Sequence, residues 1–306
     1  MFTIGSLLHG IPVTALPRGR SGALLLLRNS CSAAFSSNAS GQELVKTEVN
    51  EKTNVASLIL NRPPVNSLSL EMFRAISSAI QTIERDYPKV QGLVLSSSKP
   101  GTLSAGLDLI ELHKPDPQRL PEFWNAFQQV YLDLYGSRLA CVAAIEGHAP
   151  AAGCMLTMCC DYRIMAASPE NGSKGPKIGL NETKLGISAP FWLGHLMVQT
   201  IGNRQAEKSL ALGTLYSAEE ALTIGLVDEV VPGEEVLARA HAEATKWAAI
   251  PPLARVTSKM MTRKKLLDDL EAKRQEDTDY TCEYLQSKTV QMPLSMYFES
   301  LQKKRG

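Results

Sequence analysis

The chain lacks an excess of either charge. Over 306 residues, 32 Lys+Arg face 31 Asp+Glu, a formal net charge of +1. A domain that holds nucleic acid by bulk attraction is normally strongly basic, so that class is disfavoured. Also absent is any apolar run near the roughly 18 residues of a membrane-spanning helix. The longest candidates, such as 141–145, have the length of a buried strand. The six cysteines (Cys31, Cys141, Cys154, Cys159, Cys160 and Cys282) contain no C-x-x-C pair, which argues against a zinc site or a disulfide scaffold. Buried free thiols in a reducing compartment are the plain reading. No G-x-G-x-x-G follows a strand, and neither G-x-x-x-x-G-K-[ST] nor H-E-x-x-H occurs. Thr102 stands two residues before Ser104, where a nucleophile elbow needs glycine.

Acidic residues are missing from the start. None precedes Glu43, while Arg18, Arg20, Arg28 and serines 6, 21, 30, 32, 36, 37 and 40 fall in the same stretch. Arg-rich, Ser-rich and acid-poor is the composition of a mitochondrial transit peptide, expected here over 1–41. A secretory signal would put its charges ahead of the apolar run, but Arg28 follows Leu24–Leu27. Removing three arginines and no acid takes the charge from +1 to about −2.

What is present alternates between strand and helix signals. Leu44–Asn50, Val55–Leu60, Val90–Ser96, Cys141–Ile145 and Asp161–Ala166 read as strands. Ser69 caps a stripe of Leu70, Phe73, Ile76, Ile80 and Ile83, and 120–134 repeats that period. Strands separated by helices imply an α/β fold with a mostly parallel sheet. Beyond 182 one brief strand remains, Val227–Val231, and Ser217-x-x-Glu220 is a capping box. Glu234–Ala249, Pro252–Asp268 and Asp269–Lys288 read as three helices. The division is an α/β core over 42–200 and a helical region over 201–306.

Two turns of small residues follow apolar strands: Ser104-Ala105-Gly106-Leu107-Asp108-Leu109 and Gly147-His148-Ala149-Pro150-Ala151-Ala152-Gly153-Cys154. If each opens a helix, its free N–H groups favour negative charge. Two such groups aimed at one oxygen make an oxyanion hole. A third element, Asn181-Glu182-Thr183-Lys184-Leu185-Gly186-Ile187, sets a glutamate among apolar and small neighbours, where its pKa rises and it can serve as a base.

Together with Asn61-Arg62-Pro63, Asp161-Tyr162-Arg163-Ile164 and Ala189-Pro190-Phe191-Trp192, these strings resemble the crotonase (enoyl-CoA hydratase/isomerase) superfamily over about 44–300. Within it they are most similar to the mitochondrial Δ3,Δ2-enoyl-CoA isomerases. The resemblance implies a crotonase-like spiral of β-β-α units with a C-terminal helical trimerisation region. It implies an acyl-CoA thioester as substrate, a homotrimer, and work in fatty-acid β-oxidation in the mitochondrial matrix. By position, Glu182 is the catalytic residue, and the N–H groups of Leu107 and Ala152 form the oxyanion hole. Ala105, Gly106, Leu107, Asp108, Leu109, Ala152 and Asn181 bind substrate. No metal and no cofactor are implied, coenzyme A being part of the substrate, and neither nucleic acid nor a membrane is a partner.

Two alternatives stand beside this reading. Hydratases of the family carry a second glutamate just after the second turn. Met155 occupies that position, and a thioether cannot activate water as a carboxylate can. A non-catalytic RNA-binding relative is the other alternative, and loss of the N-terminal arginines weakens it. The second turn reads Ala-Ala-Gly where many relatives have three glycines. The loop 168–177 is longer than usual and reads as a solvated surface loop, a mobile lid leading to Glu182 being the alternative.

Overall fold

A computed structural model of the chain describes residues 43–169 and 174–303. The expected transit peptide, Cys31 and the middle of the 168–177 loop lie outside the described residues. The sheet begins with an antiparallel pair, β1 (Val45–Asn50) and β2 (Val55–Leu60). Helix α1 (Leu70–Asp86) starts where Ser69 Oγ accepts the Met72 N–H, and it crosses to β3 (Gly92–Ser97). A single-turn helix α2 (Leu109–Leu112) and the longer α3 (Arg119–Tyr135) then lead to β4 (Ala140–Ile145). The chain continues through β5 (Ala149–Pro150), α4 (Ala152–Met158), β6 (Tyr162–Ala166) and β7 (Ile178–Gly179). Helices α5 (Phe191–Ile201), α6 (Asn203–Leu212) and α7 (Ala218–Thr223) precede β8 (Glu229–Val231). Helices α8 (Val236–Ala248), α9 (Pro252–Gln286) and α10 (Lys288–Lys303) complete the described chain.

The main sheet has the order β1-β2-β3-β4-β6-β8, parallel everywhere except at β1. Side chains alternate between its faces. Cys141, Ala143 and Ile145 of β4 join the cluster that holds α1 and α3, while Val142 and Ala144 pack against Val236, Ala240 and Ala244 of α8. A strand covered on both sides has no polar face, which is why β4 reads as an unbroken apolar run.

Most expected elements stand within two residues of their sequence-read ends, and Ser217 and Glu220 form the full capping box. The tail differs. Pro252–Asp268 and Asp269–Lys288 are one helix of 35 residues, α9. Across the expected boundary, Lys264 Nζ meets Asp268 at 2.7 Å and Lys265 Nζ meets Asp269 at 2.6 Å. Such pairs at i, i+4 support a helix. The enclosed side chain of Asp161 fixes the first half of α9 through Lys259 Nζ and Arg263, each at 2.9 Å. Apolar positions of α9 largely pack within the chain. Leu270 and Leu285 are buried, and Leu266, Leu267 and Tyr284 pack on the same core.

Candidate active site

The first turn is built from loop 62–69. Asn66 is enclosed, taking the Arg62 N–H at 2.7 Å and donating to Ser97 Oγ at 2.7 Å and Leu103 O at 2.9 Å. That loop then grips the turn: Ala105 N–H reaches Val65 O, Leu68 N–H reaches Gly106 O, and Asp108 N–H reaches Leu68 O, at 2.8–3.0 Å. The Arg62 guanidinium joins Ser67 O at 2.9 Å to Asp108 Oδ2 at 2.6 Å. Asp108 Oδ1 caps α2 through Ile110 N–H at 3.1 Å. Gly106 spends its own N–H on Ser104 Oγ at 3.1 Å. Among the described residues no acceptor takes the N–H of Leu107.

The second turn lies directly against the first. A side chain on Gly106 would put its Cβ 3.0 Å from Ala151 Cβ and 3.5 Å from Ala152 N, and φ there is +88°. A Cβ on Gly153 would sit 2.7 Å from Ser104 O. Glycine at both positions is therefore a condition of the two turns touching. Ala151 takes φ +51°, a conformation glycine adopts without strain, and Ala152 opens α4 with its N–H among the unpaired donors of a first helical turn.

Two short strands bring in the glutamate. β5 and β7 pair in parallel, with Ala149 N–H on Lys177 O at 2.9 Å and Ala151 N–H on Gly179 O at 2.8 Å. His148, which the sequence left without a role, accepts the Lys177 N–H on Nδ1 at 3.1 Å and so secures this junction. Three residues beyond β7, Glu182 starts a 3-10 turn that Gly186 ends in the left-handed conformation.

Leu107, Ala152 and Glu182 line one cavity of about 500 Å³. Its walls include Leu112, Trp124, Phe127, Ile187, Leu193 and Leu285. Glu182 is 8% exposed, and burial pushes its carboxyl from 4.5 up to about 7, opposed only by its own backbone N–H. No charged side chain contributes to that shift. A carboxylate so placed takes and returns a proton near neutral pH.

The other expected substrate residues are not on this wall. Ala105 is exposed, while Gly106 and Asp108 are buried behind the first turn, and Asp108 lines a neighbouring polar cleft with Arg62 and Arg119. Leu109 is half-buried in α2. Asn181 stands at the head of the Glu182 turn without capping it, and its Oδ1 is buried without a partner. Met155 does not reach the cavity. It is fully buried, with the Cys159 thiol 3.5 Å from its sulfur.

Sequence reading missed the far wall, built by α9. Lys273, Glu276, Asp277, Tyr280, Thr281 and Tyr284 line the same cavity. Their spacing keeps them on one helical face, a periodic signal hidden because most of the stripe is polar. Among the described residues, no group of three or more His, Cys, Asp or Glu is placed to hold a metal. Nor is any helix there long and apolar enough to cross a membrane.

A mostly parallel α/β core thus brings two small-residue turns and one buried carboxyl to the wall of a single cavity. Residues 50–305 match the family described as Enoyl-CoA hydratase/isomerase, and the chain belongs to that family. It is 43% identical over 268 residues to the mouse (Mus musculus) protein named enoyl-CoA delta isomerase 1, mitochondrial, covering 88% of this chain and 90% of that one. The human (Homo sapiens) protein of the same name is 41% identical over 266 residues, with 87% and 86% covered. The crystal structure of human mitochondrial delta3-delta2-enoyl-CoA isomerase superposes with a TM-score of 0.82 at 40% identity, covering 86% of this chain and all of that one.

Proposed function

We propose that the protein is a Δ3,Δ2-enoyl-CoA isomerase of fatty-acid β-oxidation, acting in the mitochondrial matrix. The observation that carries this reading is the meeting of Leu107, Ala152 and an isolated, buried Glu182 on one apolar chamber. The mouse and human relatives, named for enoyl-CoA delta isomerase activity, support it. The thioester carbonyl of a 3-enoyl-CoA sits between the Leu107 and Ala152 N–H groups. Glu182 removes a proton from C2, and the electron pair spreads into a dienolate whose oxygen the two N–H groups hold. Protonated Glu182 returns the proton at C4, leaving the double bond between C2 and C3. Each oxyanion donor contributes about 3–4 kcal/mol, and the base roughly 10²–10⁴ in rate. The thioester itself acidifies C2, so the step calls for neither metal nor redox cofactor.

The chain is further proposed to work as a homotrimer after removal of residues 1–41. Leu253 and Met261 on the outer side of α9, 82% and 79% exposed, are available to such contacts. The test of function is incubation with 3-cis- and 3-trans-enoyl-CoA of several lengths. Accumulation of trans-2-enoyl-CoA is expected, and 3-hydroxyacyl-CoA formed as fast as the isomer would replace this reading with a hydratase. Light scattering checks the assembly, for which a monomer at micromolar concentration is the contrary result.

A further inference from the structure

One carboxyl in the chamber has no part in the proton shuttle. Asp277 of α9 is 7% exposed and lines the same cavity as Glu182. Its two oxygens are treated very differently. Oδ2 accepts three N–H groups: Trp124 Nε1 at 2.8 Å, Gln128 Nε2 at 2.9 Å and Trp192 Nε1 at 3.2 Å. The Gln128 amide is oriented for this by Arg274 Nε, which donates to its Oε1 at 3.2 Å. Oδ1 has no hydrogen-bond partner among the described residues. Thr281, one turn further along α9 and buried in the same wall, likewise has a hydroxyl without a partner there. The shift of Glu182 comes from burial and not from Asp277.

An acceptor left open in a mostly apolar chamber is costly when its water is displaced and nothing replaces it. A plain alkyl tail pressed against Oδ1 strips the water and offers no donor. A hydroxyl on the tail donates to Oδ1 and accepts from Thr281. A keto group sets one acceptor against another. We propose that Asp277 Oδ1, with the Thr281 hydroxyl, forms a polar subsite in the acyl chamber that selects acyl-CoA chains bearing a hydroxyl group over plain chains of the same length. This rests on the acyl-CoA reading of the chamber and adds a substrate class to it.

The test measures binding rather than turnover, using saturated acyl-CoA thioesters and the intact protein in a calorimeter. One set is a plain ten-carbon chain and the same chain with a hydroxyl moved stepwise from C5 to C10. A second set carries a keto group at each of those carbons. At one or two positions the hydroxyl compound should bind about tenfold tighter than the plain chain, the size of a hydrogen bond to a charged acceptor. The keto compound there should bind more weakly than the plain one. Asp277→Asn keeps an oxygen for the three N–H groups and turns an N–H₂ toward the chamber, so the keto compound should gain and overtake the plain chain. Thr281→Val, similar in size and without the hydroxyl, should reduce the hydroxyl preference even if Asp277→Asn proves unstable. Equal binding of plain and hydroxylated chains at every position overturns the subsite while leaving the acyl-CoA reading standing. A hydroxyl preference unchanged in both variants overturns it as well. Failure of the wild type to bind any of the thioesters overturns the functional reading itself.

Discussion

The two sides of the chamber are made differently. On the sheet side, the wall is made by two turns held by hydrogen bonds between main-chain atoms and by glycines that let the turns touch, with Glu182 beside them. On the α9 side, every contribution is a side chain on one helical face, from Lys273 to Leu285. Backbone donors are fixed by the fold and tolerate almost no insertion of volume. Side-chain walls can be exchanged at one position without moving the next. The sheet side is therefore suited to a constant reaction and the α9 side to a choice of acyl chain.

That contrast can be broken most severely at the one side chain the sheet side contributes to the chemistry. Glu182→Gln should lower turnover by about 10²–10⁴ while leaving thioester binding nearly intact, since Gln keeps the size but takes no proton. Retention of more than about a tenth of the activity by stopped assay would remove Glu182 from the role of sole base. Next comes Gly153→Ala, whose Cβ would meet Ser104 O at 2.7 Å. Forcing the turns apart should cost roughly 10²-fold in turnover, the scale of losing one oxyanion donor. Tyr284→Phe on the opposite wall should stay within a few-fold for short chains, and comparable losses in the two variants would erase the distinction drawn above.

Titration sharpens it further. With the Glu182 carboxyl at about 7, kcat/KM should climb as the pH rises through 7 and level off above it. Stability should run the other way. Ionising Glu182 is harder folded than unfolded, so its neutral form favours folding, fully below about 4.5 and fading as the pH rises through about 7. Glu182→Gln should then melt higher than wild type at pH 8 and nearly level with it at pH 4, a gap of at most about 3 kcal/mol. Melting curves that differ equally at both pH values would contradict burial as the cause of the shift. Arg62→Ala, which frees Asp108 and Ser67, should slow turnover by roughly tenfold without changing that pH profile. The smallest effect is expected at Ala151→Gly. Relief of the φ +51° strain should raise stability by up to about 1 kcal/mol, measurable by chemical denaturation.

The sequence made the sheet side legible and left the α9 side obscure, for physical reasons. Buried parallel strands have a composition of their own, and turns that must touch demand glycine, so β4, Gly106 and Gly153 announce themselves. Glu182 was visible because an acid stood among apolar neighbours. What places it beside Ala152 was not visible: β5 and β7 pair over two residues each, too few for any periodicity. Helix α9, read as two segments from the sequence, is continuous across Asp268 and Asp269. Asp277 could not stand out in a polar stretch, because what distinguishes it is three donors arriving from α3 and α5. The sequence shows that Met155 is a thioether but not which way it points. Its side chain joins the core beneath α4, so a glutamate placed there would be buried rather than presented to substrate.

The contact between the two glycine turns also bears on how the enzyme comes into being. Each turn ends a different strand–helix crossing, and the proposed oxyanion hole needs both. One turn follows β3, the other follows β4 and opens α4, and the glutamate is placed by the pairing of β7 with β5. In the proposed mechanism, full activity needs both turns and the glutamate in place together. Appearance of turnover during refolding would consequently time the last docking event of the core, later than the recovery of helical signal. A tight oxyanion-mimicking thioester would then act on completed molecules alone, slowing their unfolding without hastening their assembly.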